Sequence, residues 1–439
     1  MGQFCKMALL AAAAVAGGTA AATTPAPVTG AAARPGVDAP ELAQLGGYGV
    51  GVATDRWVQP NQADPLKGAD RPAIGDRVLP VTIWYPAAHM GGGTTYRTAL
   101  SGEDARDVPF TLPGLATPGA RAAAGRFPLV ILAHGYGNTP EVLSWLGENL
   151  ASKGYVVIAP AFRDPAISLR TAQMRAAPVA RRPLDIAFVT AESQRRARAS
   201  RGLPAAIDPD RIALIGYSMG GYGVLTVAGA PLNPAFVPAS RNILAPYAAG
   251  GAQAGTLAPS GLKAVVAISP AVRWGPLPIW TGAEAGAVAV PTLFIAGSQD
   301  HVVGYDNVRA EYDKPARAPR YLLTFKEAGH SIALVGAPPA MRRTFWDQDW
   351  FEDSVWRKDR LLPIEAHFIT AFLDRYVKDD DAKAAYIDGL VPDSDAGAWP
   401  DAPVGRYAGY SPGPPAVTVW KGFQPSRAVG LRFESRPGR

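Results

Sequence analysis

Between residues 127 and 160 the chain reads as apolar strand, amphipathic helix, apolar strand, and this stretch constrains the fold most. Phe127-Pro128-Leu129-Val130-Ile131-Leu132-Ala133 contains no polar residue. A strand that is apolar on both faces must be covered on both faces. After His134-Gly135 the pattern changes to a helix. Thr139 suits its N-cap, Pro140 its first position and Gly154 its end. Leu143, Leu146 and Leu150 share one face of it. Tyr155-Val156-Val157-Ile158-Ala159-Pro160 is the next buried strand. Two such strands joined by a helix lie parallel in one sheet.

The alternation continues along the chain. Leu79 to Tyr85 reads as an early strand, with Val81, Ile83 and Tyr85 on one face and Thr82 and Trp84 on the other. Pro80 cannot donate to a ladder, so the strand is expected to start there or to lie near an edge. Residues 183–200 read as a helix with an arginine-rich outer face. Asp208-Pro209-Asp210 reads as a turn into the strand Arg211 to Ile215. Further strands are expected over 263–268, 292–296 and 321–325. A late helix carries Ile364, Phe368, Phe372 and Tyr376 on one face. The expected fold class is therefore α/β, a mostly parallel central sheet with helices on both faces. The 439 residues are 48% hydrophobic and 18% charged, enough apolar material for one large core.

The expected organisation is a signal peptide over 1–22, a flexible leader over 23–45, a folded domain over 46–390 and a C-terminal extension over 391–439. Lys6, the short apolar run from Met7 to Ala16 and the small residues Thr19 to Ala22 carry the signal reading. The protein is then periplasmic or secreted, with no stable membrane insertion, because the run is too short to span a bilayer. Cleavage would also remove Cys5, the single cysteine, and with it any thiolate nucleophile, disulfide or thiolate metal site. Residues 230–262, rich in Ala, Gly and Pro, form either a lid or a plain surface insertion. Gly47-Tyr48-Gly49-Val50-Gly51 lacks the strand–helix context of a dinucleotide loop. The net charge of +6 is dispersed. Its densest groups, Arg181-Arg182 and Arg195-Arg196-Arg198-Arg201, read as solvated helix faces, so no nucleic-acid partner is expected.

Gly216-Tyr217-Ser218-Met219-Gly220 carries the chemistry. It lies between the strand ending at Ile215 and the helical run Tyr222 to Ala228. A serine on a sharp strand-to-helix turn presents its hydroxyl above the sheet edge, and the crowded turn requires small neighbours. A serine hydroxyl needs a base. Of the five histidines, His330 follows a strand late in the chain, where the order serine, acid, histidine places the base. Asp300, just beyond the strand Thr292 to Ala296, is the expected acid that orients it, with Asp306 the runner-up. The amides of Met219 and of Tyr136, the latter in the loop His134-Gly135-Tyr136-Gly137-Asn138, are the expected oxyanion donors. Tyr136, Trp274 and Trp280 are candidates to line a substrate pocket.

These residues resemble the α/β-hydrolase superfamily. More closely, the chain is similar to bacterial predicted dienelactone hydrolases related to platelet-activating-factor acetylhydrolase. The shared features are Tyr48-Gly49-Val50-Gly51, Leu79 to Pro86, His134-Gly135, Gly216 to Gly221, Asp300 and Gly329-His330, spread over residues 47–376. The Gly-Tyr-Ser-Met-Gly-Gly run is also similar to that of cutinases and polyester hydrolases. The resemblance implies an α/β-hydrolase fold and a carboxylic-ester hydrolase with no metal and no cofactor, acting on a small-molecule ester. True dienelactone hydrolases use a cysteine where this chain has Ser218. Two other readings stay open: a peptide or amide hydrolase with the same three residues, and a binding protein that kept the fold without catalysis.

Overall fold

The computed structural model describes residues 34–166, 171–199, 202–281, 287–314, 316–398 and 418–438. The expected signal peptide, Cys5 and residues 23–33 of the expected leader lie outside these.

Strands β1 (Gly49–Asp64) and β2 (Ala73–Ala87) form a long antiparallel hairpin. Strands β3 (Thr94–Ser101) and β4 (Asp107–Gly114) form a second, separate hairpin, and β5 (Thr117–Pro118) adds two residues beside β1. Then β6 (Phe127–Ala133), α1 (Ser144–Ser152) and β7 (Val156–Pro160) follow. Helix α2 (Ala172–Arg198) leads to β8 (Ile207–Tyr217), α3 (Met219–Val227) and β9 (Leu262–Ile268). A small ribbon of β10 (Arg273–Trp274) and β11 (Leu277–Pro278) precedes β12 (Thr292–Gly297). The chain continues through α4 (Tyr305–Asp313), β13 (Arg320–Phe325), α5 (Phe345–Asp349) and α6 (Lys358–Val377), and returns in β14 (Leu431–Arg436).

The main sheet runs in the order β14-β13-β12-β9-β8-β6-β7-β2-β1-β5. Its centre, from β13 to β7, is parallel, while β14 and β2 pair antiparallel at the two sides. Successive side chains alternate between two cores. Val130 and Leu132 of β6 join Leu146 of α1 and Phe368 and Phe372 of α6. Leu129, Ile131 and Ala133 join Ile186 and Val189 of α2 and Val224 of α3. All seven residues of β6 are buried. Each large aliphatic side chain among them contributes about 1.5–3 kcal/mol of burial free energy.

Several elements depart from the sequence expectation. Helix α2 starts well before residue 183 and contains Pro178 and Pro183. A proline inside a helix loses one hydrogen bond and crowds the preceding turn. Here the burial of Val179, Ile186 and Val189 outweighs that penalty. Asp208-Pro209-Asp210 is not a turn but part of β8, beside a register shift between Pro128 and Leu129 of its neighbour. Pro80 lies inside β2 and not at its start, and β2 lies near the edge of the sheet, the other expected setting. The ladder to β7 begins at Val81, so Pro80 interrupts no pairing there. Thr139 makes no cap bond. Its hydroxyl instead meets that of Thr98, and a 3-10 turn over Pro140–Leu143 opens the helix.

The expected boundaries also shift. The 3-10 turn Glu41–Ala43, inside the expected leader, docks on α6 through Leu42 N–H to His367 Nδ1, 3.2 Å. The segment beyond 390 supplies β14, an edge strand of the main sheet. In residues 230–262, Phe236, Val237 and Leu244 are buried in the core. Arg241 donates to the carbonyls of Pro65, Lys67, Gly68 and Ala69 in the loop between β1 and β2. Among the described residues no helix is long and apolar enough to cross a membrane.

Candidate active site

Ser218 stands between β8 and α3 with φ 53° and ψ −116°. Positive φ in a residue with a Cβ costs of order 1–3 kcal/mol and persists only where the surroundings enforce it. Here they do. The Ser218 amide donates to Ile268 O at 2.9 Å, and its carbonyl accepts from Tyr222 and Ala271, each at 3.1 Å. The glycines of the turn are sterically required. A Cβ on Gly216 would stand 2.2 Å from Gly220 O, and one on Gly220 would stand 2.1 Å from Ala133 O.

The loops after β8, β12 and β13 meet at the carboxyl end of the parallel sheet, where open α/β sheets bind ligands. His330 Nε2 is 3.1 Å from Ser218 Oγ, and its Nδ1 is 2.8 Å from Asp300 Oδ2. A carboxylate only accepts, so Nδ1 carries the proton and Nε2 is left to accept from the serine hydroxyl. Asp300 Oδ1 also accepts the amides of Val302 and Val303 at 2.9 and 3.1 Å. Burial alone would raise the Asp300 pKa. The His330 hydrogen bond and charge, together with the two amides, outweigh it and hold the carboxyl below its ordinary value. Asp306 is exposed at the start of α4. Tyr217 donates its hydroxyl to His330 O at 3.2 Å, and its ring lies 5.3 Å from the imidazole.

The loop 134–138 follows β6, beside β8. Among the described residues, the amides of Tyr136 and Met219 find no protein acceptor. Free amide donors of this kind, when they face the carbonyl under attack, receive its developing oxyanion. His134 is fully buried. Burial, then the Arg182 charge, push its pKa down to about 3, so it is neutral. Its Nδ1–H donates to Gly135 O at 2.7 Å, and Nε2 accepts from Phe162 N–H at 3.2 Å. Burial and the Asp164 charge push the Tyr136 phenol up to about 12.

Trp280 is 1% exposed, donates to Thr226 Oγ1 at 3.1 Å and packs on Tyr222. A side chain enclosed in this way offers no face to a ligand, which corrects its reading as pocket lining. Trp274 is half-buried, edge-on to Phe236. Arg182 corrects a further reading. It is fully buried and paired with Asp164 at 2.6 Å, not solvated. Arg195 and Arg196 do stand on a wetter face, paired with Glu192.

Sequence reasoning missed two groups at this site. One is the Arg182–Asp164 pair, of which the only local signal is a carboxylate just past the end of β7. The other is Trp350, whose indole N–H donates to Asn138 Oδ1 at 2.9 Å. The Ser331 hydroxyl contacts the Trp350 carbonyl at 3.0 Å, so this residue links the 134–138 loop to the His330 loop.

A family model described as PETase, PET hydrolase-like, matches residues 118–249. That stretch contains the 134–138 loop and Ser218 but neither Asp300 nor His330. The chain is 35% identical over 144 residues to cutinase est1 of Thermobifida alba, covering 30% of this chain and 43% of that protein. It is 34% identical over 143 residues to cutinase est2 of the same organism, covering 29% and 42%. The match thus spans less than half the length of these curated relatives. A solved structure of a ferulic acid esterase from Streptomyces cinnamoneus superposes with a TM-score of 0.51 at 21% identity, covering 76% of this chain and 91% of that one. With its parallel sheet, strand order and flanking helices, the chain has the α/β-hydrolase fold.

Proposed function

We propose that this protein is an exported serine esterase that cleaves carboxylic esters through an acyl-enzyme. The observation that carries the reading is the hydrogen-bonded line from Ser218 Oγ through His330 to Asp300, at 3.1 and 2.8 Å. The cutinases and the ferulic acid esterase to which the chain is similar support ester chemistry. The export reading rests on residues 1–22.

Ser218 Oγ attacks the ester carbonyl while His330 Nε2 takes its proton. Asp300 keeps the imidazole in the needed tautomer and offsets its positive charge. The Met219 and Tyr136 amides receive the oxyanion of the tetrahedral intermediate. Collapse expels the alcohol, which takes the proton from His330, and leaves the acyl group on Ser218. Water then attacks, His330 acting again as base, and the acid leaves with Ser218 restored. The neutral His134 cannot compete as base, because both its nitrogens are engaged, Nδ1 on Gly135 O and Nε2 on Phe162 N–H.

The test is hydrolysis of a chain-length series of p-nitrophenyl esters by the wild-type protein and by Ser218→Ala. Turnover confined to the wild type is expected. Equal rates in the two proteins would refute the reading. Turnover of anilides but not esters would move it to amide hydrolysis.

A further inference from the structure

The peptide joining Gly135 and Tyr136 carries the Gly135 carbonyl at one side and the Tyr136 N–H at the other. The described chain has no cis peptide, and in a planar trans peptide these two groups point in opposite directions. Whatever holds the carbonyl therefore aims the amide. Two buried groups hold it. His134 Nδ1 donates to it at 2.7 Å and Arg182 Nη2 at 3.3 Å. The same Arg182 nitrogen donates to Asp164 Oδ2 at 2.6 Å. That oxygen in turn accepts Gly137 N–H at 3.1 Å, from the peptide on the other side of Tyr136. Both peptides flanking Tyr136 are thus gripped by one ion pair.

The pair is costly to bury. Its side chains are 0% and 1% exposed. Isolating two charges from water carries a desolvation penalty that their attraction need not repay. Among the described residues, Arg182 Nε and Nη1 and Asp164 Oδ1 have no partner. The polar contacts of this guanidinium are therefore spent on the loop and on the carboxylate that also holds the loop. The fold makes room for it. A Cβ on Gly223 of α3 would stand 2.6 Å from Arg182 Cγ. The guanidinium also covers the Phe162 ring, 3.8 Å from its centroid, and Phe162 N–H is the group that fixes His134. Charge balance matters too. A lone carboxylate beside the loop would oppose an oxyanion, and Arg182 cancels it.

We propose that Arg182 and Asp164 are positioning residues that aim the Tyr136 amide at the oxyanion. This rests on the esterase reading above. It assigns neither residue a contact with substrate.

The test uses the full chain with Arg182→Met, Arg182→Lys and Asp164→Asn. Kinetics on p-nitrophenyl butyrate are normalised to sites labelled by a fluorophosphonate. Removal of one oxyanion donor costs roughly 10²–10³ in kcat, so a donor left in place but misaimed is expected to cost about 10–100-fold. The expected result is that loss in kcat with KM within about threefold, partly recovered in Arg182→Lys. The affinity of a trifluoromethyl ketone should fall by the same factor, because its adduct carries the oxyanion. Unchanged kcat per labelled site, or a rise in KM alone, would overturn the proposal. Failure of all three variants to fold would also overturn it, making the pair a fold element. Wild-type protein that neither labels nor hydrolyses esters would instead sink the esterase reading. In that event crystal structures of the variants still decide the clamp: a Gly135–Tyr136 peptide in its wild-type orientation refutes it.

Discussion

Two buried histidines outside the Ser218–His330–Asp300 line should weaken this protein in acid, and His367 offers the cleaner test. It is fully buried in α6, its Nδ1 accepts Leu42 N–H, and the rings of Phe368, Tyr386 and Phe423 surround it at 5.1–5.6 Å. Burial, then the nearby Lys153 charge, push its pKa down to about 3. In the unfolded chain it titrates near 6.5. The folded value is the lower one, so below pH 6.5 the unfolded state binds a proton that the folded state refuses. Stability is therefore full above about pH 6.5 and falls as the pH drops toward 3, by about 1.4 kcal/mol per pH unit for this one group. Over the whole window it loses roughly 5 kcal/mol, a large part of a typical total of about 5–15 kcal/mol. His134 behaves alike and adds a second proton to the slope. His367→Phe should cost a constant amount for the lost Leu42 bond, about 1–3 kcal/mol. It should also flatten the dependence of unfolding free energy on pH by about one proton between pH 6 and 4. Urea denaturation at pH 6, 5 and 4 measures both slopes. Identical slopes in the two proteins would refute the claim that His367 is neutral in the fold.

Asp300→Asn should lower kcat by about 10⁴-fold with little change in KM, because the amide favours the wrong imidazole tautomer; steady-state kinetics on a p-nitrophenyl ester measure it. Gly216→Ala places a Cβ 2.2 Å from Gly220 O and should greatly lower the melting temperature and the rate of fluorophosphonate labelling. Gly47→Ala, with no atom within 4 Å of the new Cβ, should be neutral in both readouts. Trp280→Ala should destabilise by about 3–5 kcal/mol through an unfilled core cavity, without altering acyl-chain preference. A changed preference would return Trp280 to the pocket.

What could be read from the sequence divides by range. β6, β7 and β9 stand out because strands covered on both faces are continuous apolar runs, and the Ser218 turn stands out because its steric needs fall within five adjacent residues. Where edge effects or long contacts decide, the reading fails. β1 does not read as a strand: its first residues are buried, but Val50 and Val52 alternate with glycines, which carry no side chain to mark the second face and read first as a loop. β14 lies far along the chain from its partner β13, beyond a Pro- and Gly-rich stretch that reads as a tail. Pro178 and Pro183 broke the pattern of α2, although packing against α3 and β8 holds that helix together.

Arg182 shows why the same limit applies to the site. In sequence it belongs to a pair of arginines beside a helix-breaking proline, and charge there reads as solvated. Its neighbour Arg181 is also largely enclosed, its side chain 11% exposed and bonded to Asp64 of β1. One residue on, the helix turns the side chain inward between α2 and α3, where Gly223 leaves space. Whether a cation in that position is solvated or buried depends on a glycine in another helix and a carboxylate after another strand. A local pattern can therefore identify the candidate nucleophile, since a strand end and a tight turn present it. The groups proposed to aim the Tyr136 amide are chosen by packing, and they become visible only when the loop after β6, the end of β7 and the middle of α2 are brought side by side.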